Sequence, residues 1–186
     1  MSDIRIASRY AKSILGLANE KGVLESARAD MALLLDTLNK NREFLLLLRN
    51  PVVNPGKKEA ILKKIFQGKV SPLTVSLFEI MVRKHREGLL PEMAKEFVHQ
   101  YNELKGIVVA KVVTTFPLTD DMREQFRNVV KSQAGKQQVI LQEEVNKDLI
   151  GGFVLTIGDQ QIDHSISSKL RDLKLKFSEN PYVKEF

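Results

Sequence analysis

The sequence predicts an α+β protein. An N-terminal six-helix antiparallel bundle is expected over residues 1–105, followed by a small α+β domain with a short sheet and two main helices over residues 106–186. Three observations lead there. Apolar residues recur at helical spacing as far as Gly106 and alternate with a period of two beyond it. Proline and glycine punctuate the first part at short intervals, which leaves room only for short loops between neighbouring helices. The 186 residues, 43% hydrophobic and 28% charged, suit a folded core in one ordinary domain or two small ones.

Residues 4–20 carry Ile4, Ala7, Ala11, Ile14, Leu15 and Ala18 on one wide stripe, stopped at Lys21-Gly22. A second helix over 23–40 places Leu24, Ala27, Met31, Leu34, Leu35 and Leu38 on its inner face. The short apolar piece Phe44–Leu48 ends at Asn50-Pro51, because proline disfavours helix in the residue before it. Asn54-Pro55 and Ser71-Pro72 are helix openings, a capping side chain followed by proline in the first turn. The helix that Ser71 opens is expected to run to about Arg86. Seven of its residues 73–82 are apolar, a stripe too wide for a surface helix. Such a helix is either central or buries a second face against another molecule. Leu90, Met93, Phe97, Tyr101 and Leu104 mark the sixth helix.

Beyond Gly106, β-branched Ile107–Thr115 reads as a strand. Thr119 with Asp120-Asp121 starts a helix of about 15 residues whose inner face holds Met122, Phe126, Val129 and Val130. Val139, Leu141 and Val145 alternate with polar residues, as do Phe153, Leu155 and Ile157. Gly158-Asp159 is a tight turn into Gln161-Ile162-Asp163. Ile166, Leu170 and Leu173 lie on a closing helix.

Composition narrows the function. Without cysteine there is no disulfide scaffold, thiolate metal site or cysteine nucleophile. No apolar run is long enough to span a membrane, and the N-terminus has no export-signal pattern. The net charge is +6, and it is unevenly placed. Residues 1–105 hold 18 basic and 12 acidic groups, residues 106–186 hold 11 of each, and residues 40–86 alone hold 11 basic against 3 acidic.

Chemistry is absent from the pattern. His85, His99 and His164 stand at no metal-ligand or catalytic spacing, and His85 and His99 read as solvated helix residues. Gly68-Lys69 and Gly135-Lys136 lack the rest of a phosphate loop. Gly151-Gly152 leads into a strand, where tight packing is the expected role, rather than into a helix N-terminus. Asp120-Asp121 and Glu143-Glu144 are adjacent, so their carboxylates diverge. No catalytic, cofactor or metal residue is expected. Lys57, Lys58, Lys63 and Lys64 make a basic helix face, but aromatics are only 6% and tryptophan is missing, so base-stacking groups are scarce.

Three stretches carry a resemblance. Ala7-Ser8-Arg9-Tyr10-Ala11-Lys12-Ser13-Ile14-Leu15, His85-Arg86-Glu87-Gly88-Leu89-Leu90-Pro91-Glu92 and residues 149–173 resemble the delta subunit (oligomycin-sensitivity-conferring protein) family of F-type ATP synthases. The likeness extends over the whole chain. His164 stands where the family usually has a small residue, and Ser167 where it often has arginine.

The resemblance implies a non-catalytic stator subunit, peripheral on the cytoplasmic face of the cell membrane and present as one copy in the complex. Residues 1–105 would bind the N-terminal helix of an alpha subunit of the catalytic head, and residues 106–186 the b subunits of the peripheral stalk. The implied groove for the alpha helix lies between the first and fifth helices, at Tyr10, Ser13, Ser76 and Ile80, with Ile14, Leu77 and Met81 as neighbours. The wide stripe of the fifth helix suits a helix-in-groove site, although Leu77 and Met81 read equally as core. The alternative is a basic helical adaptor that binds nucleic acid or anionic membrane through residues 40–86.

Overall fold

The computed structural model describes residues 2–178. The chain is α+β and divides into two compact units, residues 1–104 and 105–186. The first contains α1 (Ser2–Glu20), α2 (Leu24–Lys40), α3 (Arg42–Arg49), α4 (Pro55–Phe66), α5 (Pro72–Arg83) and α6 (Leu90–Lys105), with a 3-10 turn at Glu87–Leu89. The second contains β1 (Ile107–Thr114), α7 (Asp120–Ala134), β2 (Gln138–Val145), a 3-10 turn at Lys147–Leu149, β3 (Phe153–Ile157), β4 (Gln160–Asp163) and α8 (Ile166–Ser178).

Small side chains set the packing of α1: Ala7, Ala11 and Ala18 are fully buried beside Ile14. Helix α2 buries Leu24, Ala27, Met31, Leu34 and Leu38. It also buries Asp30, whose carboxylate accepts hydrogen bonds from the Ser71 amide (2.8 Å), the Ser71 hydroxyl (2.7 Å) and the Thr74 hydroxyl (2.7 Å). Three donors satisfy that charge and pin α2 to the N-terminus of α5, where the helix dipole also favours an anion. The expected caps form, with Asn54 accepting from the Gly56 amide and Ser71 from the Thr74 amide.

Helix α5 is central. It buries Thr74, Leu77, Phe78, Met81 and Val82, so most of its wide apolar stripe is used inside the unit. It ends at Arg83 rather than near Arg86, and His85 lies beyond it rather than within a helix. His85 takes a left-handed conformation (φ 54°), while the Arg86 amide donates to the Met81 carbonyl (2.8 Å) and the His85 amide to the Val82 carbonyl (2.9 Å). This is a Schellman stop built on a residue with a Cβ, which costs about 1–2 kcal/mol relative to glycine. His85→Gly is therefore expected to raise stability by about 1 kcal/mol, visible as a higher Tm in thermal denaturation.

Two further expectations fail in this unit. Lys58 does not belong to a basic surface, because it is only 2% exposed and pairs with Glu87. Leu104 is exposed although it continues the otherwise buried α6 stripe of Leu90, Met93, Phe97 and Tyr101.

The sheet of the second unit has the order β2-β1-β3-β4. β1 and β2 are parallel, joined by the α7 crossover, while β1–β3 and β3–β4 are antiparallel. Ala110 stands opposite both Leu141 and Ile157, and Val112 opposite Leu155. These residues pack with Leu118, Phe126 and Val130 into the core. Val129, expected inward, is exposed, since the helical turn directs its neighbour Val130 to the sheet instead. Helix α8 differs most from expectation. It does not close the core: Ile166, Leu170 and Leu173 are all exposed.

Candidate partner-binding site

The seven side chains expected at a groove fall into two kinds. Ile14, Leu77 and Met81 are buried, so they are core and can support a surface only from below. Tyr10 is half-buried, and Ser13, Ser76 and Ile80 are exposed, Ile80 by 39%.

Those four line two separate depressions. Ser76 and Ile80 border one of about 610 Å³, with Pro55, Glu59, Glu79, Val82, Arg83 and His85. Tyr10 and Ser13 border another of about 390 Å³, with Ile6, Arg9 and Arg86. A third, of about 340 Å³, shares His85 with the first and Ile6 and Arg86 with the second. All three lie around the His85–Arg86 corner, and the expected residues of α1 and of α5 do not share one depression.

The corner is held firmly. Arg86 donates to the Tyr10 hydroxyl (3.1 Å), and its guanidinium carbon lies 5.8 Å from the centre of the Tyr10 ring. Glu87, the next residue, is buried against Lys58, with Nζ 2.6 Å from Oε1. The serines are quiet. Ser13 Oγ donates to the Arg9 carbonyl and Ser76 Oγ to the Pro72 carbonyl, each one turn back on its own helix. Their hydroxyls are thus satisfied locally, and an apolar helix can approach them without stranding a polar group. Arg86 was not among the residues expected at the site. Its pairing with Tyr10 spans 76 residues and has no local signal in the sequence.

The electrostatics of the first unit are milder than its composition suggests. Lys63 bonds Glu59 (2.8 Å) and Glu79 (2.7 Å), which hold its pKa above the usual lysine value. With Lys58 buried and paired as well, two of the four lysines expected on a basic face are already neutralised.

In the second unit, Arg123 bridges Glu143 and Asp120, and its hydrogen bonds lower the Glu143 carboxyl pKa. The Asp163 carboxyl is lowered to about 2 by hydrogen bonds from the Ser168 hydroxyl and from Ser165. These groups tie elements together and do not converge on a cavity. Among the described residues no cluster of His, Cys, Asp or Glu could hold a metal ion, and no helix is long and apolar enough to cross a membrane.

The fold defines the class: an α+β protein with a helical unit followed by a small mixed-sheet unit. The chain belongs to the ATP synthase delta (OSCP) subunit family, whose model matches residues 6–177. It is 42% identical over 179 residues to the ATP synthase subunit delta of Cytophaga hutchinsonii, covering 96% of this chain and 97% of that one. It is 43% identical over 178 residues to the subunit of the same name from Amoebophilus asiaticus, covering 95% and 96%. A chain of the cryo-EM structure of the Toxoplasma gondii mitochondrial ATP synthase hexamer shares the fold, with a TM-score of 0.73 at 22% identity over 94% of this chain and 98% of that one. The chain is accordingly a non-catalytic stator subunit of an F-type ATP synthase, part of a membrane-associated complex with a role in the peripheral stalk. The basic-adaptor alternative gains no support from these comparisons.

Proposed function

We propose that the chain ties the catalytic head of the synthase to its peripheral stalk, through one unit for each. Residues 1–105 act as a six-helix antiparallel bundle that receives the N-terminal helix of an alpha subunit. Residues 106–186 hold the b subunits. One copy works in each complex, peripheral on the cytoplasmic face of the cell membrane. By resisting the torque of the rotor, it lets rotation drive conformational change in the head instead of dragging the head around.

The observation that carries the head-binding half is Ile80. It is the exposed apolar residue of α5, with satisfied Ser76 one turn before it and the depression of about 610 Å³ at its side. An amphipathic helix laid from α1 to α5 past the His85–Arg86 corner would cover Ile80 and Tyr10 and meet Ser13 and Ser76, small enough to allow close approach. Binding at nanomolar strength requires about 12 kcal/mol, and a few desolvated apolar anchors can supply most of it. Ile80→Asp is therefore expected to weaken binding of the alpha N-terminal peptide at least 100-fold while the helical unit stays folded, with a Tm lowered only modestly because the side chain is partly exposed. Calorimetric titration of wild type and variant checks this, and equal affinities would refute the assignment of the groove.

A further inference from the structure

We propose that Arg9, Arg86 and the Tyr10 hydroxyl form a clamp for one carboxylate, carried by an Asp or Glu side chain of the helix that docks at the His85–Arg86 corner. The inference rests on the head-binding reading of the helical unit. It adds the chemistry that fixes where along its length that helix sits.

Ile6, Arg9, Tyr10 and Ser13 follow one another at spacings of three, one and three residues, so they share one stripe of α1. With Arg86 they line the depression of about 390 Å³, and the charged residues among that lining are both arginines. Both arginines are exposed. Neither is paired with a carboxylate among the described residues, whereas Arg49 is paired with Glu92 and Arg123 with Glu143 and Asp120.

Arg86 is already held for the task. It donates to the Tyr10 hydroxyl at 3.1 Å and lies 5.8 Å from the centre of the ring, while Glu87 beside it is buried against Lys58. A guanidinium carries several N–H donors in a planar fork, so this one bond leaves most of the fork for a ligand. The Tyr10 oxygen is the acceptor in that bond, so its own O–H remains a donor. Ser13 already donates its proton to the Arg9 carbonyl at 2.9 Å, and it contributes room instead of a bond. Two guanidiniums and a phenol therefore border one depression as donors, which suits the paired oxygens of a carboxylate.

The surrounding charges favour an acidic partner. Glu59 and Glu79 are paired with Lys63, and Glu87 with Lys58. Arg83, which borders the depression beside Ile80, is like Arg9 and Arg86 in having no carboxylate partner among the described residues, and Asp3 borders the adjoining depression. A second copy of this chain would set arginine against arginine. A free anion gains little from guanidiniums that are hydrated and screened by salt. A carboxylate on a helix seated over Ile80 is different. The seated helix holds it near the arginines at high effective concentration and strips water from them. Apolar contact then supplies affinity, and the carboxylate fixes register.

The test titrates the full-length chain calorimetrically with the alpha N-terminal peptide, and with peptides in which each Asp or Glu is replaced in turn by Asn or Gln. Arg9→Gln combined with Arg86→Gln is expected to weaken binding of the unaltered peptide about 10-fold at low salt, and much less at high salt. Arg9→Gln alone separates the clamp from the support that Arg86 gives Tyr10, and is expected to weaken binding about 3-fold with Tm unchanged. Tyr10→Phe is expected to weaken it about 3-fold as well. One acidic position of the peptide should be coupled to the clamp. Its replacement weakens binding to the wild type about 10-fold and changes nothing further in the Arg9/Arg86 variant.

Failure of the unaltered peptide to bind the wild type would overturn the head-binding reading, and the clamp with it. Equal affinity of wild type and the Arg9/Arg86 variant would overturn the clamp while leaving the head-binding reading in place. So would losses that simply add at every acidic position. Inorganic phosphate bound by the wild type and lost in the Arg9/Arg86 variant, with peptide affinity unaltered, would assign the arginines to a free anion instead.

Discussion

Glu87→Ala is expected to destabilise the helical unit by about 3–5 kcal/mol, the usual cost of stranding a buried charge. The stranded group is the Lys58 ammonium, which would keep only its hydrogen bond to the Leu48 carbonyl at 2.9 Å. The native pair is itself imperfect, since Glu87 Oε2 is buried without a hydrogen-bond partner. Replacing both residues, Lys58→Met with Glu87→Leu, should therefore recover most of the loss. Urea denaturation of the two variants decides the matter, and a cost below about 1 kcal/mol for Glu87→Ala would mean that water reaches the pair. The consequence reaches the binding surface. Glu87 follows the Arg86 that holds Tyr10, so loosening this turn should weaken peptide binding as well as stability.

Gly152→Ala is expected to cost about 3 kcal/mol or more and to unfold the second unit first. A Cβ at this position would lie 2.2 Å from the His164 carbonyl oxygen, which is backbone and cannot swing away. The φ of 77° adds strain for any residue with a side chain. Gly158→Ala is the control. Its φ is also positive, at 56°, but a Cβ there meets nothing within 4 Å, so about 1 kcal/mol is expected. A similar cost for both would show that the backbone conformation matters and the close approach does not. That approach brings the strand entering at Phe153 against the residues that start α8.

Much of the fold was legible in the sequence because its signals are local. Asn54, Ser71 and Thr119 cap helices within their own first turns. The change of period at Gly106 marks the passage from helices to the sheet, and Gly151-Gly152 marks the close approach of two backbone segments. Failures came where the deciding contact is distant. Lys58 resembled a surface lysine because its partner Glu87 lies 29 residues away. On α5, the apolar pattern could not separate buried Leu77 and Met81 from exposed Ile80, since a helix apolar almost all round does not announce which side meets solvent. Helix α8 shows the converse. Its stripe of Ile166, Leu170 and Leu173 is regular, and regularity implies a buried face without saying which molecule buries it.

Backbone conformation leaves no mark on some residue types. Neither His85 nor Ile150 carries a glycine's signature, yet both occupy positive φ, one closing α5 and the other opening the approach to α8.

The central claim is that the two units hold different partners at once. Co-sedimentation of the catalytic head, the soluble b domain and the full-length chain tests it most directly. All three components are expected in one complex, with head and b domain failing to associate when the chain is omitted. Ile80→Asp should release the head alone. If the two partners instead compete for the chain, or if Ile80→Asp releases both, then the units are not separate grips and the chain is not a tether between head and stalk.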